Sequence, residues 1–249
     1  MKRFHVAILL VCLGAGLAAR DARAEGLNER VIQRATDPVT GAELTLFRDD
    51  HGLTGLTVRT ADVSIRREFV NGRGTTAIRS GSDTLSVEFD LHRLVVSDGL
   101  RRVEATRDSR DRMEEARALV GRSPAGHAAA VLLGQLGLGP ESPVRFMLLS
   151  TRALLLSAAN DSTGLNELSA WVDKTRRTVK VLHAGFSQTA ADCWNGYTAA
   201  VIPAYDEFQN CIKDLAWYEW IDRDTCLLIY ELRAVGAAAW YVRCVGIGA

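Results

Sequence analysis

The chain has 249 residues, 47% of them apolar and 24% charged, and its 30 basic side chains balance its 30 acidic ones. Such a composition excludes a disordered or low-complexity chain. The balanced charge lacks the basic footprint that a phosphate backbone demands, so no nucleic-acid partner is expected.

Residues 1–24 read as an export signal. Lys2 and Arg3 supply the positive start, 6–13 is an apolar run, and Ala22-Arg23-Ala24 offers a small-x-small cleavage pattern that places the mature start at Glu25. The run is shorter than the ~20 residues a membrane span needs, so no transmembrane segment is expected after cleavage. Without residues 1–24 the chain keeps 26 basic and 29 acidic groups, a net charge of −3. The expected location is periplasmic or extracellular.

The next region, 25–106, is expected to be an antiparallel β meander. Segments 42–47, 56–59, 63–70, 75–79 and 85–96 are rich in β-branched and apolar residues, with Asn71-Gly72 and Asp98-Gly99 as tight-turn pairs. In the last segment Leu85, Val87, Phe89 and Leu91 alternate with Ser86, Glu88, Asp90 and His92, the signature of one buried and one wet face.

From 107 to 186 the period becomes helical. A helix is expected over 111–120, ending at Gly121, and Ser123-Pro124 and Ser142-Pro143 each announce another start. Residues 144–158 are strongly apolar but interrupted by Arg145 and Arg152, which suits a buried central helix. A further helix is expected over 165–176. The overall class is therefore α+β.

The final region, 187–249, holds all five tyrosines, four of the five tryptophans and four cysteines. Cys193 and Cys211 are 18 residues apart, and so are Cys226 and Cys244. At about 100° per residue each pair returns to one helix face, yet its members would lie about 27 Å apart. A disulfide needs Cα atoms within about 7 Å, so helical segments forbid pairing within either one. In an antiparallel hairpin the nested pairs Cys193–Cys244 and Cys211–Cys226 face each other, since both have the index sum 437. Tyr197, Ala200, Ala204 and Phe208 are expected on the cysteine face of the first helix, with a bend at Pro203. The design resembles the twin Cys-x9-Cys helical hairpins with wider spacing, a likeness of architecture that carries no activity.

Candidate chemistry is sparse. Glu88, Asp90 and His92 would share one strand face and offer acid/base groups or metal ligands, although alternation alone also yields such rows on solvated faces. Asp49-Asp50-His51-Gly52 reads as a turn, and His127 and His183 have no partner legible in sequence. No nucleophile-elbow, zinc-protease, phosphate-loop or dinucleotide pattern occurs, so no cofactor or metal is expected and no reaction is named. The hairpin tip Trp217, Tyr218, Trp220 and Ile221 is a candidate recognition surface for a protein or small-molecule ligand. The expected function is an extracytoplasmic binding or interaction protein. The alternatives are an exported hydrolase or metal-dependent enzyme built on Glu88, Asp90 and His92, and a precursor of a Cys-rich peptide. Residues 193–249 carry a net charge of −3, which argues against a cationic membrane-active peptide.

Overall fold

Eight strands form, most of them on alternating apolar and polar side chains, and the computed structural model describes residues 29–48, 54–70, 73–90, 92–106, 109–138, 142–179 and 188–213 together with Cys226. The strands are β1 (Arg30–Thr36), β2 (Glu43–Arg48), β3 (Thr54–Arg59), β4 (Val63–Val70), β5 (Arg73–Ser80), β6 (Asp83–Phe89), β7 (Arg93–Ser97) and β8 (Arg102–Thr106). Each pairs antiparallel with its neighbours in the chain, giving one sheet in sequence order. An α+β fold with an N-terminal meander is thus present.

The expected turns fall where the sequence marks them. Val70 pairs with Arg73 across the Asn71-Gly72 pair. After β7 the Asp98 carboxylate accepts bonds from the Leu100 and Arg101 amides, at 3.0 and 2.7 Å, and Gly99 takes the positive φ of 86° that favours glycine.

Two strand boundaries differ from expectation. β1 precedes the first expected segment; Ile32 is its one buried residue, so it shows almost no hydrophobic pattern. The expected single strand over 85–96 is two, because Asp90 accepts from the His92 and Arg93 amides at 2.9 and 3.0 Å and turns the chain between β6 and β7.

Register fixes which side chains share a face. One face carries the row Leu44, Val58, Ile65, Ile78 and Leu85, and next to it the row Leu46, Leu56, Arg67, Thr76, Val87 and Val96. These residues are buried, and the apolar ones other than Leu46 belong to the continuous core that the helices share. The helices are α1 (Arg110–Gly121), α2 (Pro124–Gln135), α3 (Pro143–Ala158), α4 (Thr163–Val179) and α5 (Gln188–Lys213). Helix α1 lies on β7 and β8, α2 on β4, β5 and β6, α3 on α1 and α2, α4 on α3, and α5 on α4. The starts of α2 and α3 follow their Ser-Pro signals. Only Ser123 caps through its side chain, accepting the Gly126 amide at 3.2 Å.

Helix α3 is the buried central helix: Val144, Met147, Leu148, Leu149, Ala153, Leu154, Leu155 and Ala158 are all buried. The two arginines that interrupt its apolar run tie it to its neighbours. Arg145 donates to the Leu138 carbonyl, and Arg152 donates to the Ala130 carbonyl at 2.9 Å while pairing with Glu167 of α4.

Helix α5 runs through Pro203, with Cys193, Tyr197, Val201, Ala204, Tyr205 and Phe208 buried at helical spacing. Apart from Cys193, this stripe belongs to the same continuous core as the sheet residues. Ala200, expected on the stripe, is exposed. Cys211 is bonded to Cys226 with Cα atoms 6.0 Å apart. Cys193 is also disulfide-bonded, and its partner lies outside the described residues. So do Cys244, the rest of the expected second helix and the tip residues Trp217, Tyr218, Trp220 and Ile221. Among the described residues no helix is long and apolar enough to cross a membrane.

A charged side chain sits inside this core. Arg67 of β4 is 2% exposed, on the helix-facing side of the sheet. Its guanidinium donates to the Thr151 hydroxyl of α3 and lies 5.1 and 6.0 Å from the centres of the Phe69 and Phe89 rings. Thr151 in turn donates to the Met147 carbonyl at 2.8 Å, so both functions of its hydroxyl are used. Replacing Thr151 by Val keeps the shape and removes this acceptor. The substitution is expected to cost about 1–3 kcal/mol in urea unfolding with an unchanged denaturant slope. An unaltered midpoint would refute the role given to this bond.

Asp37, in the β1–β2 turn and fully buried, makes a second link between the sheet region and the helices. Its carboxylate accepts from the Thr40 hydroxyl and amide at 2.7 and 2.8 Å, and from the Gly137 amide beyond α2 at 2.7 Å. Burial alone would raise its pKa, but the bonds from Thr40, Gly137 and Val39 outweigh that effect and hold the carboxyl below its usual value. The linked stability is therefore complete above the unfolded value of about 3.9 and lost as pH falls through the lower folded one. The stability gap between wild type and Asp37→Ala should be constant above about pH 5 and should shrink below about pH 4. Chemical denaturation across that range checks it; a gap independent of pH would refute it.

Candidate functional site

With the helices on one face, the opposite face of the sheet presents its polar chemistry outward. Across β1 to β4 the register lines up Arg34, Thr45, Thr57 and Arg66 in one row. A groove of about 570 Å³ runs over this row, bounded also by Glu29, Val31, Glu43, Phe47 and Arg59.

A bulge shapes its edge. The pairing of β1 slips between Val31 and Gln33, so Val31 stays opposite Phe47 while Arg34 comes opposite Thr45. In a regular strand residues three apart point to opposite faces. The extra residue, Ile32, reverses the alternation and puts Val31 and Arg34 on the same side. Ile32 itself is buried with Leu46 on the other face.

The groove floor is held by a stack. Phe47 pairs with Gly55, and a Cβ at Gly55 would collide with the Phe47 ring and with the Arg67 carbonyl, so only glycine lets the ring lie flat there. The Arg66 guanidinium sits 4.4 Å above that ring. Glu29 and Glu68 both pair with Arg66. Burial alone would lower the Arg66 pKa, but the bonds to Glu29 and Glu68 raise it, so the group is cationic at any working pH.

Arg34 and Arg59 differ. Both are exposed, and among the described residues neither side chain makes a hydrogen bond or an ion pair. Glu43 stands opposite Arg59 in the ladder without closing an ion pair to it. The groove thus holds one guanidinium fixed by acids and two that are open.

A second hollow of about 390 Å³ lies among α2, α3 and α4, lined by Leu133, Leu148, Leu149 and Trp171 with Arg145 and Glu167 at its rim. Arg145 is bonded to the Leu138 carbonyl and Glu167 to Arg152, so these two rim groups are already engaged within the protein.

Among the described residues, Glu88, Asp90, His92 and His127 do not gather into one cluster. Glu88 is half-buried on the outward face of β6, opposite Thr75 and Val95. Asp90 is committed to the β6–β7 turn and lies 3.9 Å from Arg73, and His92 is exposed in that turn. The strand ends at Phe89, so the three do not form a row along one strand. Among the described residues no three His, Cys, Asp or Glu side chains come together as a metal site requires. His127 is exposed on α2, and Asp49, Asp50, His51 and His183 lie outside the described residues.

Sequence reading missed Arg34, Arg59 and Arg66. Alternation marks Arg59 and Arg66 as outward, but the groove depends on cross-strand register and on the Ile32 bulge. Gly55→Ala should displace the Phe47 ring and the guanidinium above it. The expected loss is about 1–3 kcal/mol, as for overpacking elsewhere. Urea unfolding reads it, and a change under about 0.5 kcal/mol, the usual size of a surface effect, would show that the ring is not seated on the glycine.

No protein-family model, curated protein or solved structure matches the chain.

Proposed function

We propose that the protein is an exported binding protein that holds a small molecule in the groove across β1 to β4. The observation that carries the reading is that groove itself, about 570 Å³ built on one rigid sheet, within the size range of small-molecule sites. Its side chains come from the strands and the residue that precedes β1, and the opposite face of the sheet is anchored to the helices. A site on regular elements keeps its geometry better than one on loops.

Export is part of the proposal. Its support is the signal-like N terminus together with the bonded Cys211 and Cys226, since disulfides persist in oxidising compartments. The nested pairing of Cys193 with Cys244 completes the proposed helical hairpin, in which the C-terminal region acts as a clasp on the core and Trp217, Tyr218, Trp220 and Ile221 form the tip.

Thr57 stands in the middle of the groove row, and Thr57→Tyr would fill it without touching the helix side. Thermal-shift screening of the mature protein against neutral, anionic and cationic small molecules should find a class that raises Tm in wild type and not in Thr57→Tyr. Equal shifts in both proteins, or none in either, would overturn the reading. Non-reducing peptide mapping should recover the Cys193–Cys244 linkage; another partner for Cys193 would remove the clasp.

A further inference from the structure

We infer that the ligand of this groove is an oxyanion, a molecule bearing carboxylate or phosphate groups, gripped between Arg34 and Arg59; the inference rests on the groove being the binding site. Three guanidinium groups line it against two carboxylates, Glu29 and Glu43, and Glu29 is already held by Arg66. Arg34 and Arg59 remain, exposed and without a side-chain partner among the described residues.

Their positions suit one shared anion. Arg34 stands on β1 opposite Thr45, and Thr45 stands opposite Thr57. Arg59 is two residues further along β3 from Thr57, on the same face. Their backbones are therefore two strands and two residues apart, roughly 12 Å at ordinary strand spacings. Thr45 and Glu43 stand between them on β2, so an anion shared by both arginines would sit toward Thr45 and Thr57, away from the Glu43 carboxylate. A guanidinium presents its N–H groups as a planar fork that matches the two oxygens of a carboxylate or phosphate, and the threonine hydroxyls beneath add donors from the sheet.

The neighbouring groups favour this chemistry over others. A cationic ligand would find Glu43 as its one uncommitted acid and two open guanidiniums against it. An apolar ligand would leave Thr45, Thr57 and both open arginines desolvated without partners, which is costly. At the far end of the row Arg66 is already neutralised by Glu29 and Glu68, so the open positive charge of the groove is that of Arg34 and Arg59.

Titration calorimetry of the mature protein at low salt, with inorganic phosphate, pyrophosphate and citrate, and with glucose and choline as neutral and cationic probes, tests the inference. At least one anionic probe should bind, more weakly as salt is raised. Arg34→Gln and Arg59→Gln should each weaken it roughly tenfold, the loss of one charge-assisted contact. Arg79→Gln, on the same face but outside the groove, should leave binding unchanged. Comparison of the phosphate arms with citrate distinguishes a phosphoryl from a carboxylate ligand. If Arg79→Gln weakens binding as much as the groove variants do, the attraction is general surface charge and the inference fails. If glucose or choline binds in a Thr57-dependent way and the arginine variants bind it normally, the groove stands and the oxyanion falls. If no probe binds, both fail.

Discussion

A guanidinium in an apolar interior is costly unless its N–H groups and its charge are met, and the architecture turns on how Arg67 is accommodated. It projects from the central region of the sheet toward α3, where Thr151 accepts from it, between the rings of Phe69 and Phe89. The helix cannot slide along the sheet without carrying Thr151 away from a buried charge. Apolar contacts tolerate small shifts of packing, whereas a directional bond to a buried cation does not. The Arg67–Thr151 bond therefore ties α3, which rests on α1 and α2, directly to β4.

The adjacent residue does the opposite task. Arg66 follows the alternation to the outward face, where Glu29, Glu68 and the Phe47 ring fix it. Two consecutive arginines thus divide the labour of the sheet, one locking the helix layer and one stiffening the open groove. Coupling between the faces is short-range: the backbone carbonyl of Arg67 lies against Gly55, the residue that seats Phe47.

Much of this was legible because local signals agreed with the final packing. Strand β4 was expected over the span it occupies, its ends marked by loss of alternation and by Asn71-Gly72. Ser123-Pro124 and Ser142-Pro143 announced α2 and α3, and the apolar density of 144–158 identified the central helix. Other features escaped because they depend on distant partners. β1 hides its pattern behind a bulge and a mostly exposed surface. Asp90 looked like a strand residue because its parity was right, whereas its carboxylate was bonding two amides ahead of it. Arg67 occupies the same parity as Ile65 and Phe69, but nothing local reveals that Thr151, 84 residues away, accepts a bond from it. The groove needed the pairing of four strands to become visible.

The sheet has a topological consequence for how the chain reaches its final form. Every strand pairs only with the strands before and after it, so the sheet can grow by successive hairpins, each closing a short loop at small entropic expense. The polar bonds that bridge long stretches are few, and the Arg67–Thr151 and Asp37–Gly137 links span 84 and 100 residues. In a chain that emerges N terminus first, the ribbon of strands can assemble while the helices are still being delivered. Its apolar face then stays uncovered until α1 and α2 settle on it, and the Asp37–Gly137 link, closed just beyond α2, marks the moment when that sticky surface is shielded.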